Sequence, residues 1–176
     1  LARKTRPTEV PSADSTRNYI NQSFFSDQYY NTNRVGRYKF NKKLSIATRI
    51  TGQESAEDIA IDDEIVVKAG EKFTYEVARR IQNAGINEIW VNVHGKKHLM
   101  RGNNRVQLSA VFPCDEKELG INEEVYYPVL AQILKENKTK EKRMQAIKDN
   151  AKQLIITTLT MDDIIASLSY YLDLLE

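Results

Sequence analysis

The sequence predicts an α+β fold: a helical framework supplied by both chain ends, residues 1–50 and 122–176, with a small β-rich module carrying one helix, residues 51–121, inserted between them. Two observations lead there. Apolar residues recur at helical spacing behind capping residues in both end segments. From Ile59 to Phe112 the texture changes instead to short β-branched runs broken by glycines and by Asn103-Asn104.

Taken in order, residues 1 to 11, LARKTRPTEVP, have two prolines and no period, so a helix remnant gives way to a loop restricted at Pro7 and Pro11. Ser12 is placed to cap a helix through about Phe25, with Ile20 and Phe24 on one face. After a polar break at Ser26 to Asn31, Asn31 or Thr32 starts a second helix, NRVGRYKFNKKL, in which Arg34, Tyr38 and Lys42 share a face. Its apolar stripe is only Phe40 and Leu44, and Lys39 and Lys43 lie on another side, so this helix needs a partner.

In the module, IAI, EIVVKAG, EIWVNV, KKHLM and NRVQLSAVF read as strands. The helix among them is capped by Thr74, buries Val77, Ala78, Ile81 and Ala84, and stops at Gly85. The stretch from Ile59 to Phe112 is expected to fold on its own Val/Ile/Leu core, at about 55 to 60 residues, a size of marginal stability. Beyond it, Pro128 suits the first turn of a helix with Val129, Ile133 and Leu134, and a solvated KENKTKEKR stretch leads to a further helix. The last helix is capped by Thr160, has Asp162 and Asp163 in its first turn where the dipole favours anions, and carries one apolar stripe, Ile164, Leu168, Leu172 and Leu175.

Composition narrows function mainly by exclusion. Apolar residues make up 41% and charged residues 28%, the balance of a soluble globular protein. No apolar run approaches the roughly 18 to 20 residues of a membrane span and nothing near Leu1 resembles a signal peptide, so the cytoplasm is the expected compartment. A start at Leu suggests a piece of something longer. Cys114, the single cysteine, can form neither an internal disulfide nor a thiolate zinc site and reads as an inert thiol.

His94 and His98 are four apart in HGKKH, but no third ligand is spaced to join them. The acidic pairs Asp62-Asp63, Glu123-Glu124 and Asp162-Asp163 are adjacent, so their side chains diverge, and each sits beside a turn or a helix start. GxxxxGK[ST], GxGxxG and GxSxG are all missing. No catalytic residue, cofactor or metal is therefore expected.

Charge supplies the positive signal. Residues 1–50 hold ten Lys/Arg against three Asp/Glu, a net +7, while residues 51–120 carry −3 and residues 121–176 carry −2. Basic residues interleaved with aromatics, namely Tyr29, Tyr30, Arg34, Arg37, Tyr38, Lys39, Lys42 and Lys43, can neutralise phosphates without reading sequence. Arg34, Arg37, Lys39, Lys42 and Lys43 are thus the candidate nucleic-acid contacts. A basic face that is merely solvated is the competing reading, as is burial of the aromatics in the core.

Residues 6–44, RPTEVPSADSTRNYINQSFFSDQYYNTNRVGRYKFNKKL, resemble a stretch of the bacterial RNA polymerase β subunit. There an Arg-Pro-Gly-Glu-Pro-Pro loop leads into a helix, Phe-Phe, an Arg-Tyr-Asp-like turn and Val-Gly-Arg-Tyr-Lys-hydrophobic-Asn-Lys-Lys-Leu. TLTMDDIIASLSYYLDLLE resembles the helix closing the same β lobe, and the EIVVKAGEKFTYEVARRIQNAGINEIWV text resembles a lineage-variable insert found there in many low-GC bacteria.

The resemblance implies the C-terminal part of the β lobe, a wall of the downstream DNA channel, in company with the β′, α and σ subunits. It also implies a gate loop at Arg6, Pro7, Thr8, Glu9, Val10 and Pro11 that offers a contact to NusG-type elongation factors. Thr8 replaces the family's Gly and Val10 the first of its two prolines, which disfavours a tight turn with positive φ at position 8. The metal-binding aspartates of that family lie in β′ and its rifampicin pocket later in β. A stand-alone nucleic-acid-binding regulator is the alternative function, and a metal-dependent hydrolase using His94 and His98 a more distant one.

Overall fold

The computed structural model describes residues 12–25 and 31–175. The gate-loop residues Arg6 to Pro11, and Tyr29 and Tyr30, lie outside the described residues. The fold is α+β, with small antiparallel sheets set among helices.

Helix α1, Ala13–Phe25, opens with Ser12, whose hydroxyl accepts the Ser15 amide at 3.0 Å. Helix α2, Asn33–Leu44, starts where the sequence indicates, but Asn33 supplies the cap. At φ +52° it accepts the Gly36 amide on its side chain at 3.0 Å, and the Asn31 side chain in turn accepts the Asn33 amide at 2.8 Å. Ser45 then breaks the helix and caps the short α3, Ile46–Ile50, by accepting the Thr48 amide.

Six strands and one helix follow: β1, Glu54–Ser55; β2, Ile59–Ile61; β3, Glu64–Val67; α4, Tyr75–Asn83; β4, Glu88–Val93; β5, Lys96–Arg101; and β6, Arg105–Val106. Strands β1, β4 and β5 form one antiparallel sheet, with Ile89 opposite Met100 and Val91 opposite His98. The β2–β3 and β4–β5 hairpins turn on Asp62-Asp63 and His94-Gly95, all four at positive φ, the geometry that suits right-twisted strands. The HGKKH motif is therefore a hairpin: His94 is exposed at its tip and His98 half-buried on β5.

The predicted NRVQLSAVF strand stops after Val106. Leu108–Val111 is a helical turn, α5, because Leu108 and Phe112 turn into a second core rather than extending the sheet. After α6, Glu116–Leu119, strand β7, Val125–Tyr126, pairs with β6. Helices α7, Tyr127–Glu136, α8, Lys140–Asp149, α9, Ala151–Leu154, and α10, Met161–Leu175, complete the fold. No described helix is long and apolar enough to cross a membrane.

Two apolar clusters organise these elements. The first gathers Ile46, Ala47 and Ile50 of α3 with Val67, Phe73, Ala78, Ile81, Ile89, Val91 and Met100; the second gathers Val106, Leu108, Phe112 and Ile121 with Leu130, Ile133, Ile147 and Leu154. The clusters thus divide at about residues 101–105. Helix α3, counted with the framework, belongs to the module's core, and residues 106–121, counted with the module, belong to the helical core.

Gly85 joins them. It ends α4 at φ +79°, and a Cβ there would come within 2.2 Å of the Tyr127 ring. Gly85→Ala combines left-handed strain with a clash and is expected to lose about 2 kcal/mol or more. A urea midpoint equal to the parent's would contradict this close approach.

Candidate nucleic-acid interface

Helix α2 has two chemically distinct faces. Arg37, Asn41 and Leu44, spaced i, i+4 and i+7, are buried, whereas Arg34, Val35, Tyr38, Lys39, Lys42 and Lys43 are exposed. The structure thus separates Arg37 from the other four candidate contacts.

Only 3% of Arg37 is exposed, and Nη1 donates to both oxygens of Asp163, each at 2.8 Å, with Nη2 donating to the Thr158 carbonyl. A guanidinium held in this way cannot reach a phosphate on the surface, so Arg37 is withdrawn from the candidate phosphate ligands. The reason is pairing: with Leu44 it forms the inner stripe of α2, and Asp163 supplies the counter-charge that makes burial tolerable.

Asp163 is fully buried and saturated with donors. It accepts from the Thr160 amide at 2.8 Å, the Thr160 hydroxyl at 2.9 Å and Asn103 Nδ2 at 3.1 Å, and the same Asn103 amide group donates to Asn41 Oδ1. The Asp163 amide in turn donates to Thr160 Oγ1, so the cap and the counter-ion are one unit. Thr32 pins the other end of the joint, its amide and hydroxyl donating to the Thr157 carbonyl.

Arg49 on α3 fastens α10 further along. It donates to the carbonyls of Arg101 and Ala166, to Ser169 Oγ at 3.0 Å and to Asp173. Burial lowers its pKa, with Asp173 acting in the opposite direction.

Arg105, 1% exposed, lies with its guanidinium carbon 5.0 Å from the Tyr126 ring centroid. Burial, with Arg37 nearby, pushes its pKa down to about 10, so it stays cationic at neutral pH. Burial and a 2.6 Å hydrogen bond to Asp162 raise the pKa of Tyr126.

On the outer face, Arg34 meets Glu123 at 2.5 Å across a cleft of about 310 Å³ that Tyr38, Lys42 and Tyr75 also line. The Glu123 bond raises the Arg34 pKa and offsets part of its charge. Neighbouring Glu124 is matched by Arg79 at 2.5 Å. Lys39 and Lys43 lie on the opposite edge, beside Tyr170, with Lys43 Nζ 4.7 Å from that ring's centroid. The outward cations therefore form a strip around α2, with Arg34 and Lys42 on one margin and Lys39 and Lys43 on the other.

Sequence reasoning does not assign Asp163, Asn103, Asn41, Arg49 or Arg105 to the site. Arg37, Asn41 and Leu44 at helical spacing, and a Thr-x-x-Asp cap at position 160, are the available signals for Asn41 and Asp163. Nothing local marks Arg49 or Arg105. Among the described residues, no group of three or more His, Cys, Asp or Glu is placed to hold a metal ion.

The chain is 43% identical over 173 residues, 97% of its length, to the DNA-directed RNA polymerase subunit beta of Clostridioides difficile. It is 40% identical over 98% of its length to the protein of that name from Caldicellulosiruptor bescii, and 40% identical over 99% to one from Clostridium botulinum. These alignments run through the β-rich region as well as its flanks. The chain spans about 14% of the length of each of these relatives. No protein-family model matches it.

Proposed function

We propose, from the chain's membership of the bacterial RNA polymerase β-subunit family, of which it matches one segment, that it forms a non-catalytic lobe wall of the downstream DNA channel. The observation that carries this reading is the strip of Arg34, Lys39, Lys42 and Lys43 on the solvent side of α2, on a helix whose inner face is locked by Arg37 and Asp163. Cations on a rigid element attract a polyanion without selecting its sequence.

The acidic pairs fit a supporting role. Asp62 and Asp63 form a hairpin turn, Glu123 and Glu124 pair with arginines, and Asp162 and Asp163 hold Tyr126 and Arg37. In the proposed setting the segment works in the cytoplasm beside the β′, α and σ subunits, and Arg6 to Pro11, which lie outside the described residues, are the proposed contact for a NusG-type factor.

The test is duplex binding as a function of salt. Changing Arg34, Lys39, Lys42 and Lys43 together to Ala is expected to weaken binding to all sequences alike. It should also flatten log K against log salt by about 0.9 for each phosphate no longer neutralised. Parental affinity and slope would mean that the strip is only solvated.

A further inference from the structure

Helix α10 has its chemistry inside out. Its inner side presents Asp163, Ala166, Ser169 and Asp173, while Met161, Leu168, Tyr171 and Leu172 are 58%, 60%, 66% and 63% exposed. Of the predicted stripe, Leu168 and Leu172 face away from both apolar clusters. The polar bonds of Arg37 and Arg49 fix the rotation of the helix and leave the stripe outside.

The band continues past the helix. Ile165, Leu168 and Leu172 line a cleft against β5 with His98 and Leu99, and Leu99 pairs across the ladder with Trp90, itself 40% exposed. One exposed leucine needs no explanation, but a contiguous apolar band marks a contact surface. We infer that this band is a packing surface for an apolar segment elsewhere in the same β polypeptide.

Two observations favour that occupant over a separate protein. The chain spans about 14% of its relatives' length, so most of such a polypeptide is available to cover it. The band is also small: its apolar members among the described residues, Ile165, Leu168 and Leu172 of α10 with Leu99 and Trp90, are far fewer than the roughly 20–30 residues a side of a stable complex. A separate partner must in addition offset about 4–15 kcal/mol of lost translational and rotational freedom. A segment of the same chain does not. The inference rests on the family and is independent of the DNA-channel reading; failure of the lysine strip to bind DNA leaves it intact.

Leu168→Cys and Leu172→Cys, introduced separately into the full-length β subunit, test it. The readout is the maleimide labelling rate at each position, by peptide mass spectrometry, relative to the same subunit in denaturant. The expected result is at least about tenfold protection at both positions in dilute, unassembled β. Labelling within about twofold of the denatured rate would overturn the inference. So would protection that appears only in the assembled polymerase, which assigns the band to another subunit, or protection that grows with β concentration, which assigns it to a second copy.

Discussion

Asp163→Ala is expected to cost about 3–5 kcal/mol, because it leaves the Arg37 guanidinium buried without its counter-charge. The same change removes the acceptor of the Thr160 amide and hydroxyl and of Asn103, which adds unsatisfied donors at the start of α10. Set against a typical total of about 5–15 kcal/mol, this is a large share of the stability of a domain. Replacing both partners with apolar residues, Arg37→Met with Asp163→Leu, should cost less than Asp163→Ala alone, since no orphan charge remains. Urea unfolding of the three proteins decides it. A loss below about 1 kcal/mol for Asp163→Ala would show that water or another acceptor replaces the carboxylate, and that the joint between α2 and α10 is not what holds the basic strip in place.

The elements with strong local signals are legible in the sequence. The Ser12, Thr74 and Thr160 caps, the Gly85 stop and Pro128 in the first turn of α7 follow from backbone chemistry within a few residues. What escapes is long-range. Arg37 reads as a phosphate ligand because helical spacing cannot say which face is covered, and its true partner lies 126 positions away. Leu168 and Leu172 sit on one side of α10, yet the rotation that turns them outward is set by Arg37 and Arg49, and no window of ten residues contains either pair. Residues 108–111 show the same limit: β-branched composition favours a strand, and tertiary packing of Leu108 and Phe112 makes a helical turn instead.

The largest expected effect follows from the way the clusters cross the sequence boundaries. Replacing Ile59 to Phe112 with a short Gly/Ser linker tests whether that stretch is a removable insert, and such a linker is entropically cheap to close. The expected result is nevertheless loss of cooperative helical melting by circular dichroism. The deletion strands Ile46, Ala47 and Ile50 by removing their partners, and takes Val106, Leu108 and Phe112 out of the helical core. Each large buried side chain removed from a core costs about 2–5 kcal/mol, so three or four such removals exceed what a domain of this size holds in reserve. It also removes the Arg101 carbonyl that Arg49 uses and the Asn103 amide group that bridges Asn41 and Asp163. A linker variant that melts as sharply as the parent would show the opposite: that α2, α7 and α10 form a core by themselves, and that the β-rich region is a true appendage to the segment.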